Sequence, residues 1–276
     1  MKKHLFNFLT LMLLGSTLAI TACQRMDDAQ AALEVESAED NAVAENELTS
    51  IDSFVEDAAA AEPLLAGSMA AAESLPSCAS ASYNKDTRTL TIDFGTTNCL
   101  CRDGLTRRGK IVAVFNGPFG AVGSTVTITP QNYFVNDNRI QGTKVKTNLG
   151  NRKVSVVVTG ASITTPEGAT ATWQANRVIE KIAGYDTPRI SDDVWVITGE
   201  ASGVNRRGIA YTAKIEQPLK KVLSFGCARN FVSGILTITN ERGGTLSVNY
   251  DPVGGEPCDK IAEVTINGRK KIIQLR

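Results

Sequence analysis

The stretch "AEVTINGRKKIIQL", residues 262–275, decides how the rest of the chain is read. Two β-branched runs, "AEVTI" and "RKKIIQL", are joined by Asn267-Gly268 alone. That dipeptide suits a two-residue type I′ turn with both central residues at positive φ, a turn that joins antiparallel strands. The same grammar runs upstream through "RTLTIDFG" (88–95), "GKIVAVFNG" (109–117), "STVTITP" (124–130), "RKVSVVVTG" (152–160), "DDVWVITGE" (192–200), "GILTITN" (234–240) and "GTLSVNYD" (244–251). Many of these runs alternate apolar with polar residues, the period of a half-buried strand. The breaks between them, such as "NDN", "PEG", "NRRG" and "ERGG", carry the Gly, Asn, Asp and Pro that turns require. "ATWQANRVIEKIAG" (171–184) has helix-like spacing, but its Thr, Trp and Val between turn signals predict a strand. Residues 77–276 are therefore expected to be all-β. At least a dozen antiparallel strands in a meander or sandwich-like sheets would form one large or two abutting units.

The formal net charge of zero conceals two unlike segments. Residues 24–76 hold 13 Asp and Glu and one basic residue, Arg25, whereas residues 77–276 hold 26 Lys and Arg and 16 Asp and Glu. The acidic segment is rich in alanine and poor in aromatics and shows no strand alternation. Such a composition buries too little apolar surface to offset its ordering entropy. It is expected to be a disordered tether, with transient helix where Ile51, Phe54 and Val55 fall at helical spacing. A sharper alternative is that it folds back on the basic domain as an electrostatic cover.

The first 22 residues read as a cleaved secretory signal: Lys2 and Lys3, an apolar run from Leu5 to Leu14, then small residues. That run is too short to span a membrane. Ile20-Thr21-Ala22-Cys23 resembles the bacterial lipobox, which implies lipidation of Cys23 and attachment by acyl chains. Gln24 after the cysteine favours the outer membrane, and "QRMDD" (24–28) resembles the surface-export signal of Bacteroidota lipoproteins.

Five cysteines remain in the exported part: Cys78, Cys99, Cys101, Cys227 and Cys258. An oxidising compartment favours disulfides. The sequence-near pairings are Cys227 with Cys258, and Cys78 with either Cys99 or Cys101. One thiol of the Cys99-Leu100-Cys101 pair is expected to be bonded and the other buried. Thiolate metal sites prefer wider ligand spacing, so no metal and no cofactor is expected.

The single histidine, His4, lies in the signal, which leaves no imidazole for a triad or a metal site. Scattered carboxylates, Asp93, Asp103, Glu167, Glu180, Asp192, Asp193, Glu200 and Glu216, single out no facing pair for glycan hydrolysis. No catalytic residues are assigned. The basic doublets Arg107-Arg108, Arg206-Arg207, Lys220-Lys221 and Lys270-Lys271 sit at or near expected turns. The first three are the candidates for an anionic partner, either a polymer or another envelope protein. Tyr133 and Phe134 are the best candidates for exposed stacking aromatics, Trp173 and Trp195 are expected in the core, and no specific nucleic-acid binding is expected.

"TLTIDFGTTNCLCRDGLTRRGKIVAVFNG", "VTITPQNYFVNDNRIQGTKVKTNLG" and "CDKIAEVTINGRKKIIQL" together resemble a group of Bacteroidota lipoproteins of uncharacterised activity. The resemblance implies an outer-membrane or cell-surface lipoprotein with an all-β ectodomain and brings no catalytic residues. The expected function is a non-enzymatic binding or interaction protein of the envelope. The alternatives are an assembly accessory of the outer membrane and a carboxylate-based hydrolase.

Overall fold

The computed structural model describes residues 35–59 and 75–274, apart from 119, 188, 189, 225, 226, 228, 229 and 267. Cys23, Asn267 and the signal segment lie outside the described residues. Residues 35–59 form a helix, α1. The strands follow in order: β1 (Ser80–Asn84), β2 (Thr89–Asp93), β3 (Cys99–Leu100), β4 (Thr106–Phe115), β5 (Thr125–Val135), β6 (Asn138–Gly150) and β7 (Lys153–Thr164). Then come β8 (Thr170–Ala183), β9 (Val194–Val204), β10 (Ala210–Val222), β11 (Ser233–Asn240), β12 (Thr245–Asn249), β13 (Ile261–Ile266) and β14 (Arg269–Gln274).

These strands make one antiparallel sheet in which each pairs with its sequence neighbours, and only the short β3 stands off the path, against β4. The expected meander is present as a single sheet, with no second sheet stacked on it among the described residues. The face that a sandwich would cover with strands is covered here by α1. The β13–β14 hairpin has the register its sequence demands: Ile266 pairs with Arg269 across a two-residue link, and Gly268 sits at φ 76°. The ambiguous stretch 171–184 is strand β8.

The acidic segment is where the structure departs most from expectation. Residues 35–59 are an ordered helix and not a disordered spacer. The buried positions Ser37, Asn41, Ala44, Leu48, Ile51, Val55 and Ala58 recur at alternating steps of four and three, which lays one stripe of α1 on the sheet. The stripe is polar at its start, where Ser37, Asp40 and Asn41 are buried, and apolar from Ala44 onward. Helical propensity from alanine and glutamate helps. Packing completes it, since Ile51 and Ala59 are 1% and 0% exposed.

Phe54 meets Phe94, just past the end of β2, edge-on at 5.2 Å, while Ala38 packs against the cluster of Leu246, Val248 and Ala262 on β12 and β13. Sixteen helical residues span about 24 Å. Nine strand steps from β2 to β12 would span about 43 Å in a flat sheet. The sheet must therefore curl around the helix. Glycine bulges supply that curl. The β4–β5 register shifts at Gly109 (φ 92°), where an added Cβ would lie 2.0 Å from the Asn132 carbonyl oxygen. The β6–β7 register shifts at Gly142 (φ 133°), where it would lie 2.7 Å from Ala161 Cα. Side chains are short at the middle of the concave face. Ala175, Ala201 and Ala213 stand opposite one another on β8, β9 and β10, and all three are buried.

Two cysteine pairs lie at disulfide distance, Cys78 with Cys99 (Cα–Cα 5.8 Å) and Cys227 with Cys258 (Cα–Cα 5.1 Å). Cys101 is a buried free thiol beside the Cys99 carbonyl. The Cys227–Cys258 bridge closes a loop of 31 residues around the β11–β12 hairpin. By loop entropy it contributes about 3.7 kcal/mol. Peptide mapping without reduction is expected to recover these two linked peptides and an alkylatable Cys101 only after unfolding. Recovery of Cys227 and Cys258 both freely alkylated would refute the bridge.

Candidate binding cavities beneath the helix

α1 is fastened to the sheet by charge along its length. Arg206 binds Asp40 (2.6 Å) and Glu39 (3.5 Å), and Arg207 binds Glu36 (2.5 Å), all from the β9–β10 turn. Asn205 in the same turn donates to Ser37 Oγ at 3.0 Å. On β8, Trp173 Nε1 donates to Asn41 Oδ1 at 2.9 Å and Arg177 Nη2 to Glu45 Oε2 at 3.0 Å. On β6, Lys144 reaches the Leu48 carbonyl at 3.1 Å and pairs with Asp52, and Lys146 pairs with Glu56. Burial alone would lower the Lys146 pKa, but the Asp52 and Glu56 carboxylates raise it, so the ammonium stays charged. At β4, Arg107 Nη2 donates to Ser50 Oγ at 2.8 Å. The acidic helix is thus the counter-charge of the basic sheet.

This arrangement relocates the basic doublets. Arg107 is fully buried, held by Asp103 in a bidentate pair (2.8 and 2.6 Å) and donating to Tyr133 Oη at 3.1 Å. It is a core residue and not a surface for a polymer. Its neighbour Arg108 points the other way, pairing with Asp137 and lying over the Phe134 ring at 4.0 Å. Arg206 and Arg207 serve the helix, and Lys220 pairs with Glu256. Lys221 turns inward beneath α1. The six side chains do not form one exposed patch, because each is committed to a local partner or to the interior. Tyr133 is buried as well, so it is no stacking platform, and Trp173 is in the core.

Five of the eight carboxylates are similarly occupied. Asp93 pairs with Lys110, Asp103 with Arg107, Glu180 with Lys153, Asp193 with Lys181 and Glu216 with Lys214. None of these pairs sets two acids across a cleft. Among the described residues no group of three or more His, Cys, Asp or Glu side chains converges as a metal site.

Among the described residues the concave face holds two sizeable cavities against α1. One, of about 450 Å³, lies between the later half of the helix and β6 to β10. It is lined by seven basic side chains and three carboxylates, with Trp195, Tyr185 and Phe231 among its aromatic walls. The other, of about 760 Å³, lies between the start of the helix and β10 to β14, with Leu236, Ile238, Leu246, Val248, Val264 and Ile266 in its wall. Glu45, Asn46, Arg177 and Phe231 line both cavities and so mark where they adjoin.

Arg177 occupies an inward position of β8, in line with Ala171, Trp173 and Ala175, and is 3% exposed. Its Nη2 serves Glu45, but Nε and Nη1 are buried with no acceptor in the protein. Trp195 Nε1, in the smaller cavity, and Asn230 Nδ2, in the larger, are also buried donors without a protein acceptor. Lys221 stands opposite Trp195 across β9 and β10 and 5.9 Å over the Phe231 ring. Burial lowers its pKa, opposed by Glu45. Tyr250, beside the same group, is raised by burial.

Sequence reasoning missed Arg177. The signal was there in "ATWQANRV", where an arginine takes the place in the alternation that Trp173 and Ala175 give to the core. The chain matches no protein-family model, no curated protein and no solved structure.

Proposed function

We propose that the protein is a lipid-anchored binding protein of the bacterial outer membrane, facing the cell surface, with no enzymatic role. Its ligand is held in the cavities that α1 closes against the sheet. The observation that carries this reading is the group of buried donors without protein acceptors along those cavities, since unsatisfied buried donors cost about 1–3 kcal/mol each. Cavities of this size fall in the range of about 300–1,000 Å³ typical of small-molecule sites. A surface for an anionic polymer is less well supported, because the candidate bases have partners. The lipobox at Ile20-Thr21-Ala22-Cys23 supports the anchor, and no helix among the described residues is long and apolar enough to cross a membrane.

Two measurements test the reading. Cys23→Ser is expected to abolish labelling by an alkyne fatty acid and to release the protein from membranes; persistent attachment of that variant would refute the anchor. Native mass spectrometry of the protein purified from its own cells is expected to show a bound small molecule, lost on unfolding. A bare chain mass under every mild condition would refute the binding role.

A further inference from the structure

We propose that the two adjoining cavities form one site for a straight-chain fatty carboxylate, with the carboxylate against Arg177 and the hydrocarbon tail along β11 to β13. The proposal rests on the binding role argued above and specifies its ligand. Three features select this chemistry over a sugar, a nucleotide or a neutral lipid.

The first is the character of the orphaned groups. Arg177 Nε and Nη1, Trp195 Nε1 and Asn230 Nδ2 are donors, so their missing partner is an acceptor; Asp52 Oδ1, an orphaned acceptor in the smaller cavity's wall, belongs to a carboxylate already paired with Lys144 and Lys146. A guanidinium presents paired N–H groups in a planar fork, the geometry that a carboxylate answers with two oxygens. The second is the charge where the cavities adjoin. Arg177 and Lys221 face the single carboxylate of Glu45, which already takes Nη2. One further anion neutralises the group, and in a buried setting an unpaired cation is costly. The third is the wall of the larger cavity. Away from the junction its strand wall is Leu, Ile and Val of β11, β12 and β13, with the basic side chains of Arg269, Lys270 and Lys271 on β14. Each methylene moved from water into such a wall adds to the affinity. A long tail therefore contributes most of the affinity, and the head fixes its direction. The tail chamber also carries Lys271 at its rim, on β14, on the same side as Ile273, which packs against Leu246 and Val248. A second anionic head there would demand a ligand charged at both ends; the orphaned donors lie at the Arg177 end, so the head is assigned there.

The test uses the full mature chain carrying Cys23→Ser, delipidated, titrated by calorimetry with hexadecanoate, hexadecanol and hexanoate. Hexadecanoate is expected to bind one per chain. Hexadecanol, with the tail and no anion, and hexanoate, with the anion and a short tail, are each expected to bind at least tenfold more weakly. In the ¹⁵N–¹H spectrum the Trp195 indole signal is expected to shift with hexadecanoate. The Trp173 signal, held by Asn41, is expected to stay in place. Arg177→Gln is expected to weaken hexadecanoate at least tenfold and to leave hexadecanol unchanged. Should that variant fail to fold, the comparison of the three probes on the unaltered site decides by itself. Equal affinity for the acid and the alcohol, or no binding of the acid, would overturn the proposal. If the molecule carried from cells is a neutral one, the binding role stands and the carboxylate inference falls. A bare chain in native spectra together with no binding of any probe removes both.

Discussion

Ile51→Asp is expected to destabilise the protein by at least about 4 kcal/mol in chemical denaturation, and to open the concave face before the sheet itself melts. Ile51 is 1% exposed at the middle of the buried stripe of α1, between Leu48 and Val55. Replacing it removes a core side chain, which by itself costs about 2–5 kcal/mol when the site cannot collapse. It also places a carboxylate where no cation is free to receive it, since Lys144 and Lys146 already serve Asp52 and Glu56. Binding of a hydrophobic dye below the main transition is the signature of a released helix. Val43→Asp, on the 45% exposed face of the same helix, is the control and is expected to change stability by less than about 0.5 kcal/mol. Equal, small effects from both would mean that α1 is not part of the core.

Asp103→Ala is expected to cost about 3–5 kcal/mol, and Arg107→Met to cost less, although Asp103 is the more exposed partner (side-chain exposure 40% against 0%). Removing Asp103 strands a buried guanidinium. Removing Arg107 takes the buried charge away with it and leaves mainly the Tyr133 and Ser50 hydroxyls without their donor. The pair also gives an acid limb. Burial would raise the Asp103 carboxyl, but the hydrogen bonds from Arg107 and the Leu105 N–H outweigh it and hold the pKa below the usual value. A group lowered on folding contributes stability that is present above its unfolded pKa and is lost as pH falls through its folded one. The wild type is thus expected to lose stability below about pH 4. The Asp103→Ala protein is expected to show a shallower loss over the same range. A steeper loss, or Arg107→Met costing more than Asp103→Ala, would refute this account.

The sheet was legible in the sequence because strand alternation and turn chemistry are local. "AEVTINGRKKIIQL" carries its register within fourteen letters, and even "ATWQANRVIEKIAG" yields to its flanking turn residues. The helix was half legible. Ile51, Phe54 and Val55 show helical spacing, but the earlier turns bury Ser37, Asp40 and Asn41, and a polar stripe carries no hydrophobic period. Its partners Asn205, Arg206 and Trp173 lie more than 130 residues away. The net charges of the two segments pointed toward an electrostatic cover, but a disordered tether of that composition looks the same until its partners are known. The basic doublets misled for a related reason: adjacency in sequence says little about direction when neighbouring strand residues face opposite sides, as Arg107 and Arg108 do. Bulges add to the difficulty. Between Val158 and Ala161 the alternation of β7 slips a step opposite Gly142, so its inward positions change from even to odd numbers.

The position of α1 also orders events in time. A meander assembles by adding each strand to the one before, so every hairpin can close soon after its second strand exists. α1 precedes all of them, yet its start rests on β12 and β13 and its end on Phe94, near the other extreme of the sheet. The part of the described chain that is made first has nothing to lie against until nearly the last strands are in place. Through folding, this segment must remain a charged, soluble peptide, a state that its dense carboxylates favour. Docking of the helix is then the closing step of maturation, and whatever occupies the space beneath it has its widest entrance before that moment.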